Sequence, residues 1–341
     1  MTRRQETFAA SAIECDITKD LARKINLLSF GLRQIAPQLT SVFAFLFLAL
    51  FATTIRAEET PVERSSPQGM SLRDAFALGL IEGMTEYLPV SSTGHLLIYQ
   101  HWMGRDEKAA ETEAADAMAI CIQSGAILAV IVLYFGRLQQ IVRGLLGGDP
   151  AGLRLFINLI IAFLPAAVIG LLFHKLIKQH LFGIRSVTIA VFVGALLILA
   201  MPRSKKTEGQ IGEKDLTDLK WWEAAVIGLL QCVAFWPGFS RSLATILACR
   251  AVKLSMSAAV EFSFLLGLIT LSAATAKEGL SHGSKIIEHY GIISPALALI
   301  VAFVSAVISV KFMVSILNRF GLSPFGYYRL LLAAFCLSLW K

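Results

Sequence analysis

Charge is what this chain has little of. Only 16% of its 341 residues are Asp, Glu, Lys or Arg, against roughly a quarter in a soluble globular chain, while 56% are hydrophobic. Cysteine is sparse as well. Cys15, Cys121, Cys232, Cys249 and Cys336 form an odd, scattered set whose spacing suggests neither a disulfide framework nor a zinc site. Four of them fall in apolar segments, where cysteine behaves as a small hydrophobe. No HExxH is present, which removes the common zinc-hydrolase signature. The net charge of +7 implies no nucleic-acid partner, because basic loops on the cytoplasmic side of a membrane protein account for it.

What the chain does have is apolar runs of about 20 residues, the length a helix needs to cross a bilayer. They fall at 74–102, 116–135, 153–173, 184–201, 221–251, 258–276, 291–317 and 326–340. This is an all-α polytopic membrane protein whose first partner is the lipid bilayer. A further apolar stretch at 39–55 reads as an uncleaved helix in preference to a signal-peptide core, within an extension covering 1–70. Connection 202–220 carries five Lys/Arg, while connection 103–115 carries two among four acids. Excess positive charge marks the cytoplasmic side. Connections 136–154 and 202–220 are therefore expected inside, and 103–115, 174–185 and 277–290 outside.

Two blocks resemble each other. Aligned from Asp74 and Glu223, Ala75 meets Ala224, Gly79 meets Gly228, Leu80 meets Leu229, Glu82 meets Gln231 and Ser91 meets Ser240. Each block runs apolar into a proline (Pro89, Pro237), then a serine-rich turn, then a second apolar run. The expected organisation is a membrane repeat at 71–202, a charged cytoplasmic loop at 203–220 and a second repeat at 221–341. Three spans separate the blocks, an odd number, so the second copy is inverted. Inverted repeats with broken helices near the midplane are a transporter device, and the repeat alone suggests a transporter or lipid flippase.

The blocks also carry chemistry. In EGMTEYLPVSSTGH, Glu82 and Glu86 are four residues apart and share a helix face. Two ionised carboxylates that close repel each other unless a cation or a shared proton sits between them. Oxygen ligands favour Mg²⁺ or Ca²⁺. Pro89 is expected to end the first half-helix near Leu88. Ser91, Ser92 or Thr93 then caps the next one, which makes an anion site. His95, in that helix's first turn, is placed to donate to a phosphate or move a proton. The second block, PGFSRSLAT, adds the hydroxyls of Ser240, Ser242 and Thr245. It also adds Arg241, whose planar fork suits phosphate oxygens or a protein carboxylate. The combined inventory fits phosphoryl transfer on a lipid-linked substrate. A lipid phosphatase of the phosphatidic-acid type is excluded, since Leu247 stands where its SRx5Hx3D motif needs histidine.

EGMTEYLPVSSTGH followed by WPGFSRSLAT resembles the undecaprenyl-pyrophosphate phosphatase family, the bacitracin-resistance BacA family. Its marks are an E/QxxxE segment running into LPVSSTGH, and PGxSRSxxT. QSGAILAVIV (123–132), PAAVIGLLF (165–173) and EFSFLL (261–266) are similar too. The resemblance covers about 71–341 and departs at Leu243, where glycine is common. It implies hydrolysis of undecaprenyl pyrophosphate in the bacterial inner membrane, at a periplasm-facing site with a divalent cation, and bacitracin tolerance. It implies two re-entrant broken-helix hairpins in an inverted-topology repeat. By motif position it assigns metal or acid–base work to Glu82 and Glu86, nucleophilic attack to Ser92, and phosphate contacts to His95 and Arg241. Ser91, Thr93, Ser240, Ser242 and Thr245 are further phosphate-binding candidates. Whether Ser92 attacks or orients water stays open, as does a homodimer.

Overall fold

The apolar runs fold as helices because, in hydrocarbon, each backbone N–H and C=O must find its partner within its own segment. The computed structural model describes residues 71–102, 113–181, 183–201 and 213–339. The helix expected at 39–55, most of connection 103–115 and the first half of connection 202–220 lie outside the described residues.

In chain order, α1 (Leu72–Thr85) and α2 (Ser92–Trp102) form a broken hairpin. Helices α3 (Glu113–Leu133) and α4 (Phe135–Leu145) are a bent pair, followed by α5 (Pro150–Leu181) and α6 (Ile184–Ala200). A second broken hairpin comprises α7 (Trp221–Gln231), a 3-10 turn at Cys232–Phe235, and α8 (Arg241–Ala251). Helices α9 (Met256–Tyr290), α10 (Ile293–Phe320) and α11 (Ser323–Ser338) complete the bundle. Among the described residues no strand forms beyond a single bridge between Lys214 and Leu254.

Pro150–Phe173, Met256–Lys277 and Ile293–Phe320 are each long and apolar enough to cross a membrane, and the α3–α4 pair, bent by 76°, makes a fourth candidate. Large apolar side chains point outward, including Leu164, Val168, Leu171 and Leu172 on α5, as expected where the solvent is lipid. The hairpin helices are different. At 1.5 Å per residue α1 reaches about 21 Å and α2 about 16 Å, short of the ~30 Å hydrocarbon core. Each therefore turns back within the protein, α1 against α2 and α7 against α8. Between the hairpins lie the bent pair, α5 and the shorter apolar helix α6.

Several connections expected from sequence are helical. Residues 135–145 form α4, so the expected span at 116–135 does not end in a loop but turns at Tyr134. Helix α5 continues through the expected outer connection to Leu181, and α9 continues to Tyr290. Lower hydropathy at these ends marks where the helix leaves the bilayer, not where it stops. Helix α1 in turn ends at Thr85 and not at Leu88. The backbone N–H of Glu86 still bonds the Glu82 carbonyl at 2.9 Å, so the two acids keep their helical spacing.

The hairpins pack by exchange. Helix α1 lies mainly on α10, from the other half of the chain, and α7 lies on α5. Both contacts need glycine. A Cβ on Gly79 would strike the Ala298 carbonyl, and one on Gly228 would strike the Ala162 carbonyl. Such small-residue contacts let membrane helices approach closely. Polar groups secure them. Ser309 Oγ donates to the Met84 carbonyl at 2.6 Å, and Gln231 Nε2 donates to the Ala162 carbonyl at 2.6 Å. Outside the spans, Asp149 caps α5, accepting from the N–H groups of Ala151 and Gly152 at 3.0 Å each. The Gly152 bond holds its carboxyl below the usual range.

Candidate active site

The breaks in the two hairpins meet at a cavity of about 260 Å³. Glu82, Glu86, Ser91, Ser92 and Thr93 line it from the first hairpin, and Pro237, Gly238, Ser240 and Arg241 from the second. The first turns of α2 and α8 both begin here, so the positive ends of two helix dipoles converge on one space.

The breaks share a backbone feature. Ser91 and Ser240, paired by the repeat alignment, both have positive φ, 77° and 79°. Non-glycine residues in such conformations cost about 1–3 kcal/mol and persist only where their surroundings hold them. Here each hydroxyl caps the helix that follows. Ser91 Oγ accepts from the Gly94 N–H at 3.2 Å, and Ser240 Oγ from the Leu243 N–H at 3.3 Å. The two breaks are also tied to each other, because Ser242 Oγ donates to the Leu88 carbonyl at 2.9 Å.

Glu86 is the hub. Its Oε2 accepts from Ser92 Oγ at 2.7 Å, and its Oε1 accepts from Arg241 Nη2 at 3.1 Å. The carboxylate that pairs with Arg241 is Glu86, while Glu261 pairs with Arg137. Arg241 also donates through Nη1 to the Ser263 carbonyl at 3.2 Å, and its guanidinium lies 5.6 Å from the Tyr87 ring centroid. Its Nε is buried with no partner among the described residues, as is the Tyr87 hydroxyl. Glu82 is buried and faces the same cavity. A serine hydroxyl that donates to a carboxylate held by an arginine is within reach of a base that could take its proton.

Three expected phosphate ligands stand elsewhere. His95 is absent from the cavity wall. Its Nδ1 meets the Ser91 carbonyl and its Nε2 the Tyr328 hydroxyl, both at 2.7 Å. A carbonyl only accepts, so Nδ1 carries the proton and Nε2 accepts from the tyrosine. The ring faces α11 and holds the Ser91 backbone, and it does not line the cavity where a phosphate was expected. Ser242, fully buried, spends its hydroxyl on the Leu88 carbonyl, and Thr245 bonds the Arg241 carbonyl at 2.9 Å. Neither lines the cavity. The Ser242 hydroxyl supplies a partner to a carbonyl in the first break, while that of Thr245 back-bonds within α8.

Sequence reasoning missed Gln123 and Arg329. Gln123, in the QSGAILAVIV block, lines the cavity, and its Oε1 accepts from Thr275 Oγ1 at 2.7 Å. Arg329 is wholly buried in α11 and binds both hairpins. The available signal was an arginine inside the final apolar block, since ions at membrane depth are rare and functional. For a metal, the carboxylates of Glu82 and Glu86 offer the hard oxygen donors a divalent cation takes. Among the described residues no third His, Cys, Asp or Glu joins them.

Comparisons with known proteins cover the stretch of chain that holds this cavity. The undecaprenyl-diphosphatase of Sorangium cellulosum (strain So ce56) is 44% identical over 268 residues, 78% of this chain and 85% of that protein. That of Maridesulfovibrio salexigens is 41% identical over 272 residues, 80% of this chain and 99% of that protein. Undecaprenyl-diphosphatase 2 of Rhodospirillum rubrum is 41% identical over 256 residues, 75% of this chain and 90% of that protein. The model of the family described as bacitracin resistance protein BacA matches residues 75–335, a stretch that includes both hairpins and the cavity between them. With that match and those relatives, the chain belongs to the BacA family.

Proposed function

We propose that this chain is an undecaprenyl-diphosphatase of the bacterial inner membrane. It hydrolyses undecaprenyl pyrophosphate to undecaprenyl phosphate and inorganic phosphate at a periplasm-facing site. The product renews the carrier lipid for peptidoglycan synthesis, and the activity raises bacitracin tolerance. The observation that carries the reading is Glu86, hydrogen-bonded to Ser92 on one oxygen and to Arg241 on the other. A lipid flippase has no use for that chain.

In the proposed reaction Ser92 Oγ attacks the terminal phosphorus and its proton passes to Glu86 Oε2. The bond from that phosphorus to the bridging oxygen breaks, and the polyprenyl phosphate leaves with the electron pair. Water then attacks the phosphoserine and gives a proton to Glu82. Ser92 departs from phosphorus and takes back the proton on Glu86, and inorganic phosphate is released together with the proton that Glu82 took from water, which leaves both carboxylates ionised again. Arg241 and the two helix N-termini hold the phosphate charge. Glu82 and Glu86 would hold a divalent cation, which when bound supplies further neutralisation of that charge.

The test is phosphate release by the purified full-length chain from undecaprenyl pyrophosphate with Mg²⁺ or Ca²⁺. Glu86→Gln is expected to lower kcat by about 10²–10⁴-fold, the usual contribution of a positioned acid–base group. Arg241→Ala is expected to lose about 10³-fold, at the lower end for an arginine in phosphoryl transfer. Full turnover in both variants would overturn the site.

A further inference from the structure

The mechanism leaves one buried ion unused. The Arg329 side chain is fully enclosed, and among the described residues no carboxylate pairs with it. It donates only to carbonyls: from Nε to Val191 at 3.1 Å, from Nη1 to Pro89 at 3.2 Å, and from Nη2 to Ala190 at 3.2 Å and Gly238 at 2.9 Å. Val191 and Ala190 belong to α6. Pro89 lies in the break of the first hairpin, and Gly238 in the break of the second.

A buried guanidinium costs several kcal/mol unless its N–H groups are bonded. Four carbonyls from three segments meet that need, and a planar fork reaches all of them where an ammonium cannot. The neighbouring helix makes room, because a Cβ on Gly194 would collide with the guanidinium. The residue before Arg329 acts on the same break. Tyr328 bonds His95, and His95 bonds the carbonyl of Ser91, the residue with positive φ. Helix α11 thus grips the first break at Pro89 and, through His95, at Ser91, while the same guanidinium grips the second break at Gly238.

We propose that Arg329 is a positioning residue that sets the two hairpin breaks at the separation where Ser92 and Arg241 meet on Glu86. It touches no reacting atom. Its charge is fixed by carbonyl dipoles, and its effect on the reaction passes through the backbone that carries Ser92 and Arg241. This role rests on the site described above.

The test compares Arg329→Lys and Arg329→Gln with the parent chain in phosphate release, with kcat expressed per folded molecule. Arg329→Gln is expected to lose about 10²-fold in kcat, the scale of a 1 Å misplacement of catalytic groups. Arg329→Lys should recover part of that loss. A merely structural role would lower thermal stability and leave kcat per folded molecule unchanged, and that result overturns the proposal. The sharper readout repeats Arg329→Lys in an Arg241→Ala background under single turnover. Positioning predicts that most of the further loss disappears, because its target has gone. An equal loss in both backgrounds overturns it. Should Arg329→Gln fail to fold, Arg329→Lys and Gly194→Ala carry the test, and unchanged kcat in both overturns the role. Full activity in Arg241→Ala alone would sink the site itself, whereas loss there with no effect of Arg329→Lys sinks only the role of Arg329.

Discussion

The two hairpins are one scaffold with two chemistries. Both break after a helix too short to cross the bilayer, both hold a serine at positive φ, and both cap the next helix with that serine. The repeat register that pairs Ser91 with Ser240 also pairs Ser92 with Arg241 and Glu86 with Phe235. The first position of each second half-helix thus carries a nucleophile in one copy and a cation in the other. Only the first copy carries the carboxylate that joins them. The repeated backbone supplies the pocket and the converging helix ends, while the differing side chains supply the reaction.

Exchanging the side chains at the paired positions Glu82 and Gln231 tests that division most strongly. Glu82→Gln is expected to lower phosphate release by about 10²-fold or more, as loss of a proton-handling carboxylate does, with melting little changed. Gln231→Glu should do the opposite. It removes the donor to the Ala162 carbonyl and leaves a buried acceptor facing it, at about 1–3 kcal/mol of stability, with kcat per folded molecule unchanged. If the two exchanges have the same signature, the division between scaffold and chemistry is wrong.

A smaller effect tests the symmetry. Gly79→Ala and Gly228→Ala each force a methyl against a backbone carbonyl, which should cost about 1–3 kcal/mol, as other overpacked sites do. Comparable losses in thermal unfolding are expected from the two. A large loss from one and none from the other would show that the exchanged contacts are not equivalent.

The smallest effect lies outside both hairpins and serves as their control. The Asp149 carboxyl is held below its usual range, first by the Gly152 N–H. A depressed carboxyl adds stability that is present above its unfolded value and is lost as pH falls through its folded value. Acidification through that window should lower the melting temperature of the parent slightly more than that of Asp149→Asn. Activity measured near neutral pH should not differ between them.

Much of this was legible in sequence. The span lengths, the prolines and the repeat register foresaw two broken hairpins, because lipid leaves the backbone few alternatives. Glu82, Glu86, Ser92 and Arg241 announced themselves as polar groups in apolar surroundings. The sequence was less informative where function and support use the same residue types. His95, Ser242 and Thr245 resemble phosphate ligands by type and place, yet their bonds go to the backbone or to Tyr328. That distinction depends on which way a helix face turns, and a turn of one position decides it. Arg329 stood out as an ion in an apolar block, but its partners were hidden because they are carbonyls, which carry no residue-type signature.

The exchanged packing has a consequence for how the chain is made. The first hairpin is among the earliest parts of the described region to leave the ribosome, yet the surface it fits is α10, near the end. Its close contact at Gly79 cannot form until α10 has been translated and inserted. The two acids, two serines and histidine of that hairpin must therefore be sheltered from lipid during synthesis by something other than their final partner.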